Sequence, residues 1–286
     1  MVVALLISLV CALGWGFVDI GFKVGSKYNV GSWMFAFTAE IVAVVIWTLF
    51  FIFSKNGFPV INMDMIPFLI VIAIFETLGI VFLANGLKYE VSSAAPIGGA
   101  FSVISPIFAF FLFKEFLSSF HIIAIFCVLI AIYLLSNIRL KRNSGLFWGI
   151  LAMIFWGLSS TLMAIPAREY GEYNTIFWVK SFSLIVILFV LFVSKKKRKQ
   201  VVKRNFSVWR FAIIVGILET IATSAWVIGI THYPFINIAI IASLYPVIPV
   251  LAVWMFSRLD KKDRPTLRNV TGLLFSIFAV LIIIFA

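Results

Sequence analysis

Residues 66–86 read IPFLIVIAIFETLGIVFLANG, and residues 209–230 read WRFAIIVGILETIATSAWVIGI. Each run is long enough to cross a bilayer as a helix, which takes about 20 apolar residues. Each carries a Glu-Thr pair near its centre, Glu76-Thr77 and Glu219-Thr220, 143 positions apart. A charged residue in mid-membrane costs about 2.5–3.5 kcal/mol on insertion scales, so a matched pair is a specific signal. Gly86 matches Gly229 and Pro106 matches Pro249 at that same offset, and Trp15-Gly16 matches Trp156-Gly157 at an offset of 141. The chain is therefore read as two copies of one unit, residues 1–140 and 141–286.

Ten apolar segments separate along the chain: about 2–22, 33–53, 66–86, 93–113 and 120–136, then 146–165, 175–193, 209–230, 235–256 and 269–286. They are too long and too uniformly apolar for barrel strands, and lipid admits only helices or closed barrels. The predicted fold is all-α, a polytopic membrane protein of ten transmembrane helices. Five helices per copy is an odd number, so the second copy enters from the opposite side. Such an inverted repeat is a common carrier architecture, with its site near the midplane between the halves.

Composition agrees. Of 286 residues, 63% are hydrophobic, 12% charged and 32 are Phe. Soluble domains hold about 45–50% apolar and about 25% charged residues, so a soluble enzyme, a secreted disulfide scaffold and a disordered chain are all excluded. Cys11 and Cys127 lie inside apolar runs without metal or disulfide spacing and read as small core residues. No basic residue precedes Lys23, so the first run is read as a retained helix rather than a cleaved signal.

The net charge of +12 resides in loops. Loops after helices one, three, five, seven and nine hold 19 Lys and Arg residues; those after two, four, six and eight hold 3, and Lys180 lies within helix seven. The positive-inside rule puts the first set in the cytoplasm of a multi-pass cytoplasmic-membrane protein, with both termini extracytoplasmic. The run Lys195-Lys196-Lys197-Arg198-Lys199, with Lys203 and Arg204, reads as an anchor to anionic lipid. Nucleic acid is not expected as a partner, because no aromatic residue is interleaved with these bases.

The polar residues inside the segments are the candidates for function. Glu76 and Glu219 would face each other across one cavity, either as a proton- or cation-coupling pair that also receives a substrate cation, or as protonated links between helices. Glu40 and Lys180 fall at equivalent depths in the two copies and could pair across the cavity. Asp19 and Lys23, four apart, share a helix face with Trp15 and form either a local ion pair or a gate. Trp15, Trp156 and Tyr245 could form an aromatic wall suited to ammonium groups. Asn85, at the end of helix three, is a polar contact or a helix cap. Small residues and prolines in helices four and nine (Gly98, Gly99, Pro96, Pro106, Pro246, Pro249) permit close packing and bends.

No metal site is expected, since His121 and His232 stand alone at helix ends. No phosphate-binding loop or catalytic motif occurs, so no catalytic residue is assigned and an enzyme is not expected. No cofactor is called for beyond coupling to protons or sodium.

Several stretches resemble the ten-helix EamA branch of the drug/metabolite transporter superfamily. Trp15-Gly16-Phe17 through Lys23 is similar to that family's opening motif. The run from Gly86 through Ala94, Ala95 and Ser105-Pro106 to Lys114-Glu115 resembles its helix-four signature, and Trp156-Gly157 with Lys180 resembles the second copy. Arg258 stands where a second glutamate would fall, and Ala39 or Glu40 where helix two would carry a base. The resemblance implies a carrier with a central cavity lined by helices one to four and six to nine. The fifth and tenth helices would sit outside, at a homodimer contact. Family members commonly keep both termini cytoplasmic, opposite to the charge reading.

The function expected is a secondary active or facilitative carrier, alternating access to one midplane site for a small polar metabolite such as an amino acid or organic cation. The alternatives are a multidrug cation exporter and an intramembrane lipid-handling protein.

Overall fold

Backbone groups in an apolar run have no water to bond, so they bond one another within each run, and the chain becomes a set of helices. The computed structural model describes residues 2–54, 57–135, 145–202, 206–255 and 266–285, and every regular element among them is helical. The first copy contains Val2–Lys27 (α1), Ser32–Phe53 (α2), Ile66–Tyr89 (α3), Val91–Gly99 (α4), Phe101–Phe113 (α5) and Ser119–Leu135 (α6). The second contains Gly145–Tyr170 (α7), Glu172–Val193 (α8), Lys195–Val202 (α9), Phe206–His232 (α10), Phe235–Ala242 (α11), Val247–Met255 (α12) and Leu267–Phe285 (α13). Nine spans among the described residues are long and apolar enough to cross a bilayer, and α6, at 17 residues, is a shorter tenth. The boundary at residue 140, the bases Lys203 and Arg204, and Arg258 lie outside the described residues.

Two of the ten expected helices are broken in mid-span. Helix four divides into α4 and α5 at Ala100, and helix nine into α11 and α12 across residues 243–246. Pro96, Gly98 and Gly99 are poor helix formers within nine residues, and the Ala100 N–H is shared between the carbonyls of Pro96 and Ile97, each at 3.1 Å. In helix nine Pro246 has no N–H to offer, so the chain tightens ahead of it. Leu244 donates to Ile241 and Tyr245 to Ala242 in three-residue turns, and the Ser243 hydroxyl donates to the Ile240 carbonyl. The prolines predicted bends; the breaks fall beside Pro96 and Pro246, not at Pro106 or Pro249. Phe101 follows the first break and Tyr245 lies in the second, and both are fully buried.

The two copies interlock. Helix α1 packs on α10 and α3 on α7, so the first and third helices of each copy embrace the third and first of the other. α2 crosses α10 and α8 crosses α3. The fifth and tenth helices, α6 and α13, pair with each other around Ala124, Val128, Ala279 and Val280. Large apolar side chains such as Phe111, Phe126, Phe189 and Phe192 face outward, where lipid would be, while the ionisable residues Asp19, Glu40, Glu76, Lys180 and Glu219 are buried. That distribution is what the bilayer as solvent demands.

Inter-loop contacts define two ends. At one, Asn62 meets Tyr170, Glu115 meets Arg168 and Glu172 meets His232. At the other, α9 lies against α2 with the Lys197 ammonium 4.3 Å from the Trp33 ring centre, and Asn269 donates to the Leu135 carbonyl. The bases 195–199 therefore stand at the end opposite Arg168.

Close approach of α2 and α10 depends on Gly216. A β-carbon there would lie 2.7 Å from the Thr38 carbonyl oxygen, which is backbone and cannot swing aside. Gly216→Val should therefore lower the melting temperature by the equivalent of about 1–3 kcal/mol, the usual range for overpacking. An unchanged melting temperature in detergent would show that the contact is not limiting.

Candidate functional site

Gly216 is three residues before Glu219, and Thr38 two before Glu40. The tight crossing of α2 and α10 thus brings two carboxylates to one place. α3 supplies Glu76 and α8 supplies Lys180. The Lys180 ammonium stands 3.1 Å from Glu76 Oε1, 3.3 Å from Glu40 Oε1 and 3.9 Å from Glu219 Oε1. All four residues are at most 5% exposed. Four helices from both copies thus meet on one ammonium group.

The carboxylates differ in how far they are satisfied. Glu76 is bound on both oxygens, Oε1 by Lys180 and Oε2 by the Ser159 hydroxyl at 2.9 Å. Glu219 Oε1 accepts from the Thr223 hydroxyl at 2.7 Å. Glu40 Oε2 has no hydrogen-bond partner among the described residues. One ammonium against three carboxylates leaves two negative charges if all are ionised. Bare buried charge is expensive, so such a site favours uptake of further positive charge.

Beside the cluster lies an aromatic box. Trp15 is its hub, with ring centres at 5.4 Å to Phe101, 5.6 Å to Trp226, 5.9 Å to Tyr245 and 6.3 Å to Trp156. The matched tryptophans Trp15 and Trp156 stack on each other across the two copies. The breaks in helices four and nine deliver Phe101 and Tyr245. A small void between the rings, walled also by Glu76, Ser160, Met163 and Thr223, has room for about one water. The Trp226 indole N–H and the Tyr245 hydroxyl have no partner among the described residues. Buried polar groups are normally bonded, so the Trp226 indole at the wall of the void marks a place for a polar guest.

The expected site residues therefore largely converge. Glu40, Glu76, Lys180 and Glu219 form one cluster, and Trp15, Trp156 and Tyr245 form one box against it. Asp19 and Lys23 are both buried in α1, Asp19 one turn from Trp15, and Asp19 Oδ2 has no partner among the described residues. Asn85 is set apart. Nine residues beyond Glu76 it points to the opposite side of α3. There it lines a polar cavity of about 270 Å³ with Ser26, Asn29, Ser32, Lys88 and Gln200, at the basic end.

Sequence reading missed Ser159, Thr223, Trp226 and Phe101. Thr223 and Trp226 are four and seven residues after Glu219, on its helix face, and that spacing could have found them. Phe101 carried no signal, because its place depends on the break before it.

The end opposite the basic loops is tied together by ion pairs and hydrogen bonds. Arg168, at the end of α7, donates to Glu115 Oε1 at 2.7 Å and to the Ile230 carbonyl at 3.1 Å, and its guanidinium lies 4.6 Å from the Phe113 ring centre. Glu115 in turn accepts the backbone N–H groups of Phe235 (3.2 Å) and Ile236 (3.3 Å), the free donors at the start of α11. His232 and Glu172 pair nearby at 3.1 Å, and the His121 ring bonds Asn237 at 2.8 Å.

Comparison with known proteins places the chain beside a transporter family and beside solved structures. The model of the EamA-like transporter family matches residues 2–137 and, a second time, residues 143–285. A solved structure described as "Crystal structure of protein" is similar over 98% of this chain and 96% of its own, with a TM-score of 0.75 and 16% identity, a likeness of fold. No curated protein matches the chain.

Proposed function

The chain belongs to the EamA-like transporter family and is a multi-pass membrane transporter of the drug/metabolite type, and from that premise we propose that it is a secondary carrier for small amine-bearing metabolites, amino acids or organic cations. It alternates access to one midplane site between the two halves, in the cytoplasmic membrane with the basic loops in the cytoplasm.

The observation that carries this reading is the juxtaposition of three carboxylates with a single ammonium, next to a void walled by aromatic rings. Carboxylates attract an ammonium group by charge, and ring faces attract it through their quadrupoles at about 0.5–2 kcal/mol each. The charge imbalance supports coupling to protons: protonation of two carboxylates makes the empty cluster neutral, and a cationic substrate then exchanges with protons.

Four rings around the void favour a second reading, the export of larger hydrophobic cations. The two differ in the size of ligand accepted.

A thermal-shift screen of the purified protein tests the reading. Amino acids, amines, bulky quaternary cations and nucleosides are presented from about pH 5 to pH 8. Ligand at about a hundredfold over Kd adds about 2.7 kcal/mol of stability, a shift of several degrees. The expected result is that small amines stabilise the protein and that Glu76→Gln removes the effect. Stabilisation by anions or nucleosides alone would reject the amine assignment, and preference for bulky cations would select the second reading.

A further inference from the structure

We propose that Lys180 is the carrier's own surrogate for its substrate: its ammonium occupies Glu76 when the site is empty and is displaced by the ammonium of an entering organic monocation. The inference rests on the amine-carrier reading above and adds the competitor built into it.

Among the four charged residues of the cluster, Glu76 alone lines the void between the rings. A ligand in that void therefore meets one carboxylate, and that carboxylate already holds Lys180 as its nearest charged partner, at 3.1 Å. The remaining Glu76 oxygen is held by Ser159, which is neutral and compatible with either partner. Entry of a cation thus replaces one ammonium by another on Glu76 Oε1.

The displaced ammonium has somewhere to go. Glu40 Oε1 is 3.3 Å and Glu219 Oε1 3.9 Å from Lys180 Nζ in the empty site. Glu40 also has a second oxygen without a partner among the described residues. A lysine stem of four carbons is long and flexible enough for such a shift. At no point does either ammonium stand unpaired in the membrane, so the exchange avoids the penalty of a bare buried ion. The rings of Trp15, Phe101, Trp156 and Trp226 then enclose the newcomer but not Lys180, and this contact separates substrate from surrogate.

Two properties follow. A neutral or anionic molecule has no means of releasing Lys180 from Glu76, so the surrogate enforces selectivity for cations. The empty carrier keeps Glu76 paired throughout, so it can reorient without a proton on that residue.

The test is a binding titration read by tryptophan fluorescence, since three indoles wall the void. The probes are ethylammonium, tetramethylammonium and the neutral tert-butanol, at about pH 8. A tethered group competes at an effective concentration in the millimolar range or above, so Lys180→Met should lower the Kd for the ammonium probes about tenfold or more. The neutral probe should not respond. Glu40→Gln removes one refuge for the displaced lysine and should raise the ammonium Kd severalfold; in the Lys180→Met/Glu40→Gln double variant that effect should vanish. This second arm holds even if Lys180→Met does not fold, because Glu40→Gln alone must weaken binding. An ammonium Kd in folded Lys180→Met that is unchanged or higher overturns the proposal, as does unchanged binding in Glu40→Gln. If the wild type binds none of the ammonium probes, the amine-carrier reading itself fails, a result distinct from either of those.

Discussion

Glu76→Gln should reduce uptake in reconstituted vesicles by about a hundredfold, because it removes the charged partner a cation meets in the void, and hydrogen bonds to charged groups are worth about 1.5–3 kcal/mol. The substitution keeps the size of the side chain, and its amide oxygen can still accept from Ser159. What it removes is the one negative charge that both lines the void and holds Lys180. The measurement compares initial uptake rates of a ligand found by thermal shift, with insertion and melting temperature of the variant recorded alongside. Glu219→Gln should lose uptake in the same direction through the imbalance of charge around Lys180, although its contact, at 3.9 Å, is longer. Wild-type rates in both variants would remove the carboxylates from the mechanism and leave the function resting on family membership.

Arg168→Gln should open the molecule at the end opposite the basic loops. Arg168 ties α7 to Glu115 and to the Ile230 carbonyl, and Glu115 ties both to the first N–H groups of α11. Hydrogen bonds to charged groups are worth about 1.5–3 kcal/mol each; both side chains are partly exposed, so the loss amounts to about 2 kcal/mol and a shift of about thirtyfold in the population open to that end. Ser160 lines the central void and provides the reporter. In a Ser160→Cys protein, an impermeant thiol reagent applied at that end should react about tenfold faster or more once Arg168 is replaced. Cys11 and Cys127, both buried, give the background in the parent chain. An unchanged rate would show that the seal lies elsewhere.

Much of this was legible in the sequence because the membrane makes polarity rare. Where apolar residues fill whole segments, Glu76 and Glu219 stand out singly, and their offset of 143, close to the 141 of the paired tryptophans, reveals the duplication. The suggestion that Glu40 and Lys180 meet came from their equal depth in the two copies, and the structure places them 3.3 Å apart. Aromatic residues are the opposite case. At 17% of the chain, rings are spread over the outer surface and the interior alike, and nothing local separates Phe101 from Phe111. Asn85 is read from its place at a helix end, without helix phase, and phase sets it in the polar cavity at the basic end, away from the cluster. The network at Arg168 was illegible for a different reason: Glu115 and Arg168 are 53 positions apart in different copies, and partly exposed charges near helix ends are common.

The meeting of Glu40 with Lys180 has a consequence for ancestry. These residues occupy equivalent positions in two copies of one unit, yet they carry opposite charge. A homodimer of the first half would gather two Glu40 and two Glu76 side chains with no cation among them. A homodimer of the second would set two lysines against two glutamates. Neither reproduces one ammonium shared by three acids. Once the duplicated positions had diverged in this way, separate halves assembling at random would make faulty pairs, and only a fused gene guarantees the heterotypic one.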